Sequence, residues 1–164
     1  MSNAAAAVFD LDGTLICLPI DWEALFAEFG RIMRIDTVRP LVDTISQLDL
    51  KTRNEVFLAW DKTELAVFHN ATPCGQGMHL YREFADKPKA LVTLQGKAVV
   101  QQILKKFSLT FTFVITREDS LSRAVQLQTA IEKLGASPED VLFVGNAESD
   151  QAAAQKVGCN FQKV

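Results

Sequence analysis

The chain has 164 residues, 48% of them apolar, with 17 basic and 20 acidic side chains and a formal net charge of −3. That length fits one domain with a small insertion and buries roughly 70% of the unfolded chain's surface. The slight acidity excludes a nucleic-acid surface and a polybasic membrane patch as expectations, so small solutes are the expected partners.

The chain opens on AAAAVFDLDGTL, residues 4–15. Its first part is a short unbroken apolar run, the pattern of a strand buried on both faces of a parallel sheet. Asp10 and Asp12 follow where that strand runs out, and open α/β sheets place their ligands at this carboxyl edge. In an extended backbone, side chains i and i+2 share a side, so both carboxylates are expected to face one point. Two such acids repel unless a proton or a cation sits between them, and a divalent metal there would also draw in phosphate. An Asp-Gly turn that merely closes a strand uses the same residues.

LICLPI, residues 15–20, reads as an extended flap ahead of a helix capped by Asp21, whose apolar face carries Trp22, Leu25, Phe26, Phe29, Ile32 and Met33. A second helix is expected from Thr37 with Pro40 in its first turn, and a third from Thr52 to Phe68 with Val56, Phe57 and Trp60 inward. Three helices with no strand between them interrupt an otherwise alternating pattern and mark an insertion, so the expected division is a core of residues 1–16 and 73–164 and a small helical unit of 17–72. His69 and His79 read as surface or hinge residues. A helix over 78–85 then leads to the strand KALVTLQGK, residues 89–97, and an amphipathic helix over 97–107. A strand over 109–116, a helix over 120–134 stopped by Gly135, the strand VLFVG at 141–145, the small-residue helix QAAAQKVG and a short strand at 160–164 complete the series. Strands alternating with helices imply a doubly wound, Rossmann-like parallel sheet of about five strands with the first in the centre.

DLDGT behind its apolar strand resembles the first motif of the haloacid dehalogenase superfamily. By that resemblance Asp10 is a covalent nucleophile and Asp12 a general acid and base. Thr93, at the end of the second large strand, matches the second motif, a hydroxyl that binds the transferring phosphoryl group beside the N–H groups of the following helix. The third motif is a basic residue that offsets nucleophile and phosphate. The family's Lys-Pro reads Arg123-Ala124 here, and Arg117 is the alternative. GNAESD, residues 145–150, resembles the fourth motif, whose two acids bind magnesium. Asp150 fits the second acid, but the first is Asn146, an amide that brings a ligand oxygen without charge. The implied magnesium ligands are Asp10, the Asp12 backbone carbonyl, Asp150 and Asn146. The helical insertion resembles the cap of type-one members.

Family dehalogenases and phosphonatases lack the acid at Asp12, since they need not protonate an alkoxide. Its presence therefore implies a magnesium-dependent phosphatase acting on a small phosphorylated metabolite, in a pattern most similar to the phosphoglycolate phosphatase branch. The other expectation is a weakened member that binds a phosphometabolite or a protein, motivated by Asn146. Cys17, Cys74 and Cys159 form no Cys-x-x-Cys pair and fit reduced thiols in the cytoplasm. No secretion signal is expected, because the N-terminal apolar run has no basic residues ahead of it.

Overall fold

The computed structural model describes residues 3–164, so the first two residues of the expected core segment lie outside it. Its strands are β1 (Ala6–Phe9), β2 (Ile16–Cys17), β3 (Thr72–Pro73), β4 (Lys89–Val92), β5 (Phe113–Ile115), β6 (Val141–Gly145) and β7 (Asn160–Lys163). Its α-helices are α1 (Trp22–Met33), α2 (Leu41–Ser46), α3 (Leu50–Val67), α4 (Gly75–Glu83), α5 (Lys97–Phe107), α6 (Arg123–Leu134) and α7 (Glu148–Val157). Five strands form one parallel sheet in the order β5-β4-β1-β6-β7, with β1 in the centre.

The unbroken apolar runs follow from this placement, because strands with helices on both faces bury every side chain. Alternation sorts them: Ala7, Phe9, Leu91, Leu142 and Val144 pack toward α4 and α5, where Phe84, Val99, Val100 and Ile103 are buried. Ala6, Val8, Ala90, Val92, Val141 and Phe143 pack the other way, onto Leu127, Ala130 and Ile131 of α6 and Ala153 and Ala154 of α7.

Between β2 and β3 the three helices enclose a third apolar cluster of Leu25, Phe29, Val38, Ile45, Val56 and Trp60, against which Leu94 and Leu121 also pack. Asp21 starts α1 by accepting the Ala24 N–H at 3.0 Å, and Asp49 starts α3 by accepting the Thr52 N–H at 2.9 Å. The two chain crossings into and out of this segment pair as an antiparallel ladder, Ile16 with Pro73 and Cys17 with Thr72. The residues expected to form a flap thus supply one strand of that ladder.

Several boundaries differ from expectation, three of them for reasons visible in the local geometry and hydrogen bonds. α2 begins at Leu41 rather than Thr37, with Pro40 extended at the N-cap, because a proline excludes helical geometry from the residue before it. β5 has three residues, since Leu109 returns its N–H to the Leu104 carbonyl at 3.0 Å to close α5 through a left-handed Ser108. α6 begins at Arg123 rather than Ser120. The Thr116 carbonyl accepts the Asp119 and Ser120 N–H groups in a turn, and Ser122 caps the helix.

Candidate active site

Asp10 leaves the carboxyl end of β1 only 4% exposed. One of its oxygens accepts the Thr14 hydroxyl at 3.1 Å and the other the Arg123 Nη2 at 2.8 Å. Arg123 is the first residue of α6, so the helix start aims it across the sheet edge, and its Nη1 donates to Gln126 Oε1 at 3.0 Å. Its Nε stands 2.9 Å from Asp150 Oδ1. Asp150, in the first turn of α7 and 1% exposed, uses its other oxygen to accept the Asn146 and Ala147 N–H groups at 3.2 and 3.1 Å. One guanidinium therefore lies between two buried carboxylates, leaving the trio one negative charge. Burial first, and the nearby Asp150 charge, raise Asp10 to about 6 against the opposing pull of the Arg123 charge and of hydrogen bonds from Leu11 and Thr14.

Asp12 is raised by burial against hydrogen bonds from Leu18 and Gly13. Its carboxylate accepts the Leu18 N–H at 2.9 Å, whereas Asp10 accepts from Thr14 and Arg123, so the two acids have different hydrogen-bond partners. The extended alternation ends with β1 at Phe9. Beyond it the Leu11 carbonyl accepts the N–H groups of Thr14, Leu15 and Ile16 in a tight turn. Gly13 sits in that turn at φ +77°, and a Cβ there would stand 2.2 Å from Asn146 Nδ2. Only glycine lets the Asn146 amide lie over the turn. The Thr14 hydroxyl is 3.4 Å from Asn146 Oδ1, and its single proton serves either that oxygen or Asp10. Glu148 is exposed.

Thr93 is fully buried at the end of β4, where its hydroxyl donates to Gln95 Oε1 and accepts the Gln95 N–H at 3.1 Å. The N–H groups at the start of α5, expected to face phosphate, are partly taken. Gly96 donates to Glu64 Oε2 at 3.1 Å and Lys97 to the Glu118 carboxylate at 3.1 and 3.2 Å. The sequence places those acids on α3 and in the β5–α6 loop, and only folding brings them to this helix end. Arg117 lies elsewhere, 1% exposed, paired with Glu64 Oε1 at 2.8 Å and with Asp61, its guanidinium 4.3 Å from the Trp60 ring centre. His69 and His79 are both exposed.

The donors near Asp10 are hard oxygens. Among the described residues no three His, Cys, Asp or Glu side chains gather as a metal site. The candidate set instead combines the Asp10 and Asp150 carboxylates with the Asn146 amide oxygen and the Asp12 carbonyl. Asp150 Oδ1 is buried with no hydrogen bond, since the nearby Arg123 Nε is poorly aligned with it. An unsatisfied buried carboxylate oxygen fits a hard cation such as magnesium. Sequence reasoning passed over Thr14 and the fully buried Gln126, whose Nε2 ties the Thr93, Thr116 and Ser120 carbonyls together at 2.8, 3.2 and 2.8 Å. A polar residue on the apolar face of α6 was the available signal for Gln126.

A parallel sheet with helices on both faces, and a buried acid at the end of its central strand bridged by arginine to a second acid, defines the class of α/β proteins that carry their site at the sheet's carboxyl edge. Residues 83–164 match the family described as haloacid dehalogenase-like hydrolase, and the chain belongs to that family. Its fold is similar to that of a haloacid dehalogenase-like family protein from Streptococcus pneumoniae, at 18% identity and a TM-score of 0.71 over 99% of this chain and 85% of that one. It is also similar to a provisional phosphoglycolate phosphatase from Lactobacillus plantarum, at 17% identity and a TM-score of 0.69 over 98% and 86% of the two chains. CbbY from Rhodobacter sphaeroides, solved in complex with phosphate, matches at 16% identity and a TM-score of 0.68 over 96% and 84%. No curated protein matches by sequence.

Proposed function

We propose that this hydrolase is a magnesium-dependent phosphatase that cleaves a small phosphate monoester through an aspartyl phosphate on Asp10. The observation that carries the reading is the buried Asp10 carboxylate held between the Thr14 hydroxyl and Arg123 at 3.1 and 2.8 Å. The phosphate in the CbbY structure and the Lactobacillus protein's description as a phosphoglycolate phosphatase support the substrate class. Residues 17–72 act as the cap over the site, and the three free cysteines suit a reducing cytoplasm.

An Asp10 oxygen attacks phosphorus and the ester P–O bond breaks. The departing alkoxide takes its proton from Asp12, whose burial-raised carboxyl favours holding one. Asp12 then takes a proton from water as that water attacks the phosphoryl group, which releases inorganic phosphate and restores the Asp10 carboxylate. Arg123 holds Asp10 in line and balances the charge that gathers there. Thr93 turns its hydroxyl from Gln95 to a phosphoryl oxygen. Asp10, Asp150, Asn146 and the Asp12 carbonyl would hold magnesium, which supplies positive charge beside the transferring group.

A second reading, a binding module for a phosphorylated metabolite or a protein, is favoured by Asn146 standing where the family carries an acid. Phosphate release from a panel of phosphomonoesters, with and without magnesium, separates the two. Metal-dependent release supports the enzyme, and saturable ligand binding without release supports the module.

A further inference from the structure

Arg117, Glu64 and Asp61 form a buried charged cluster that the proposed chemistry does not use. Arg117 and Glu64 are 1% and 0% exposed and lie 53 residues apart, the arginine after β5 and the acid on α3 of the helical insertion. Burying an ion pair this completely stabilises little by itself, so its geometry is the informative part. Apart from the Arg117 contact with Asp61, the hydrogen bonds that leave the pair end on the short loop after Thr93. Arg117 Nη1 donates to the Leu94 carbonyl at 3.1 Å, and the Arg117 N–H donates to the Gln95 carbonyl at 3.4 Å. Glu64 Oε2 accepts the Gly96 N–H at 3.1 Å. Gly96 has no side chain because none fits: a Cβ would stand 2.1 Å from Asp61 Oδ1 and 2.5 Å from Arg117 Nη2.

The loop has a reason to need holding. Gly96 is the N-cap of α5 and offers no capping side chain, and the Glu64 carboxylate, from another element, accepts the Gly96 N–H, one of the N–H groups at the helix start that no intrahelical carbonyl takes. Gln95, pinned by its own carbonyl to Arg117, is the residue that occupies the Thr93 hydroxyl. The position of Thr93 Oγ1 is therefore set through Gln95 and Gly96 by a carboxylate on the insertion and a guanidinium on the core. Trp60, beside Glu64 on α3, seats the guanidinium from above at 4.3 Å.

We infer that Glu64 and Arg117 are positioning residues that couple the seating of the helical insertion to the Thr93–Gly96 loop, so that Thr93 is aligned for phosphate only when the insertion is docked. This rests on the phosphatase reading. Glu64→Gln keeps the size of the side chain but presents an NH2 group to Arg117 or to the Gly96 N–H, so one arm is lost. It should raise KM for p-nitrophenyl phosphate roughly tenfold with a smaller change in kcat, as expected when a contacting group is displaced by a fraction of an ångström. A purely structural role would instead lower Vmax with the folded fraction and leave KM unchanged. Asp61→Asn, at the more exposed end of the cluster, gives a milder KM rise and serves where Glu64→Gln does not fold.

The decisive measurement is the double-variant cycle with Thr93→Val. If Glu64 acts through Thr93, Glu64→Gln adds less than about twofold in the Thr93→Val background, because the hydroxyl it aligns is already gone. Full additivity in an active wild type overturns the coupling and leaves the phosphatase intact. A wild type that releases no phosphate from any monoester overturns the phosphatase reading, and the coupling with it.

Discussion

Asp10 carries two demands that conflict. As the proposed nucleophile it must be ionised and near its target, yet Asp10 is buried and its ordinary acidity is weakened to about 6. Arg123 resolves this at 2.8 Å by stabilising the charged form. Asp10→Asn keeps the shape and removes the nucleophile, so phosphatase activity should vanish while thermal unfolding stays cooperative. Wild-type turnover in that variant would remove Asp10 from the mechanism. Asn146 poses the opposite problem, since it offers an oxygen without charge beside the Thr14 hydroxyl and the Gly13 turn. Asn146→Asp should tighten magnesium binding about tenfold, or about 1–2 kcal/mol for one ligand charge in an open site. Calorimetric titration of metal, paired with KM at saturating metal, checks this, because the added charge also repels the phosphate dianion. Equal affinities in the two proteins would take position 146 out of the proposed metal site.

At the scale of elements, the site depends on how closely α4 approaches the DGT turn. Gly77 is buried in α4, and a Cβ on it would meet the Thr14 carbonyl oxygen at 1.7 Å. The helix backbone thus supports the turn that holds Thr14 under Asp10. Gly77→Ala must push the two apart, at a cost of about 1–3 kcal/mol in urea unfolding. Turnover should fall further than the lost folded fraction, because Thr14 moves with its carbonyl. Unchanged stability together with unchanged turnover would show that α4 can retreat without disturbing the turn. The β2–β3 ladder works at the same scale. It joins both ends of the helical insertion next to this turn, with the Cys74 N–H donating to the Leu15 carbonyl at 2.8 Å.

Across the whole molecule, the Arg117–Glu64 cluster makes stability depend on pH in an unusual direction. Burial raises Glu64 from 4.5 to about 7 despite the opposing pull of Arg117. The folded protein then keeps a proton that the unfolded chain has released, so the contribution is full below pH 4.5 and is lost as pH rises through about 7. Glu64→Gln cannot titrate. The denaturation midpoint of the wild type, measured relative to this variant, should therefore fall between pH 4.5 and about 7. A constant difference across that range would mean that Glu64 stays ionised throughout, held by Arg117.

Much of this was legible in the linear chain. The buried strands, the central place of the first, the cap at Asp21 and the helix over 97–107 follow from apolar runs, helical spacing and turn residues. Those signals work because each depends on neighbours a few residues away. The acids of DLDGT were marked by where a strand ends, and Thr93 and Asp150 by their resemblance to the family's second and fourth motifs. Which partner each side chain takes was not legible. Arg123 and Arg117 are equivalent as residues, six apart on one loop and helix start. Yet one reaches Asp10 across 113 positions of sequence and the other reaches Glu64 across 53. The Asp12 carboxylate turned to Leu18, the α5 N–H groups went to Glu64 and Glu118, and Gln126 became the tie between three carbonyls. The sequence alone determined the sheet, its order of layers and the edge at which chemistry is possible, because those depend on local periodicity and burial. The tertiary structure alone decided which charges meet there, because hydrogen bonds and ion pairs form over a few ångströms between groups that only packing brings together.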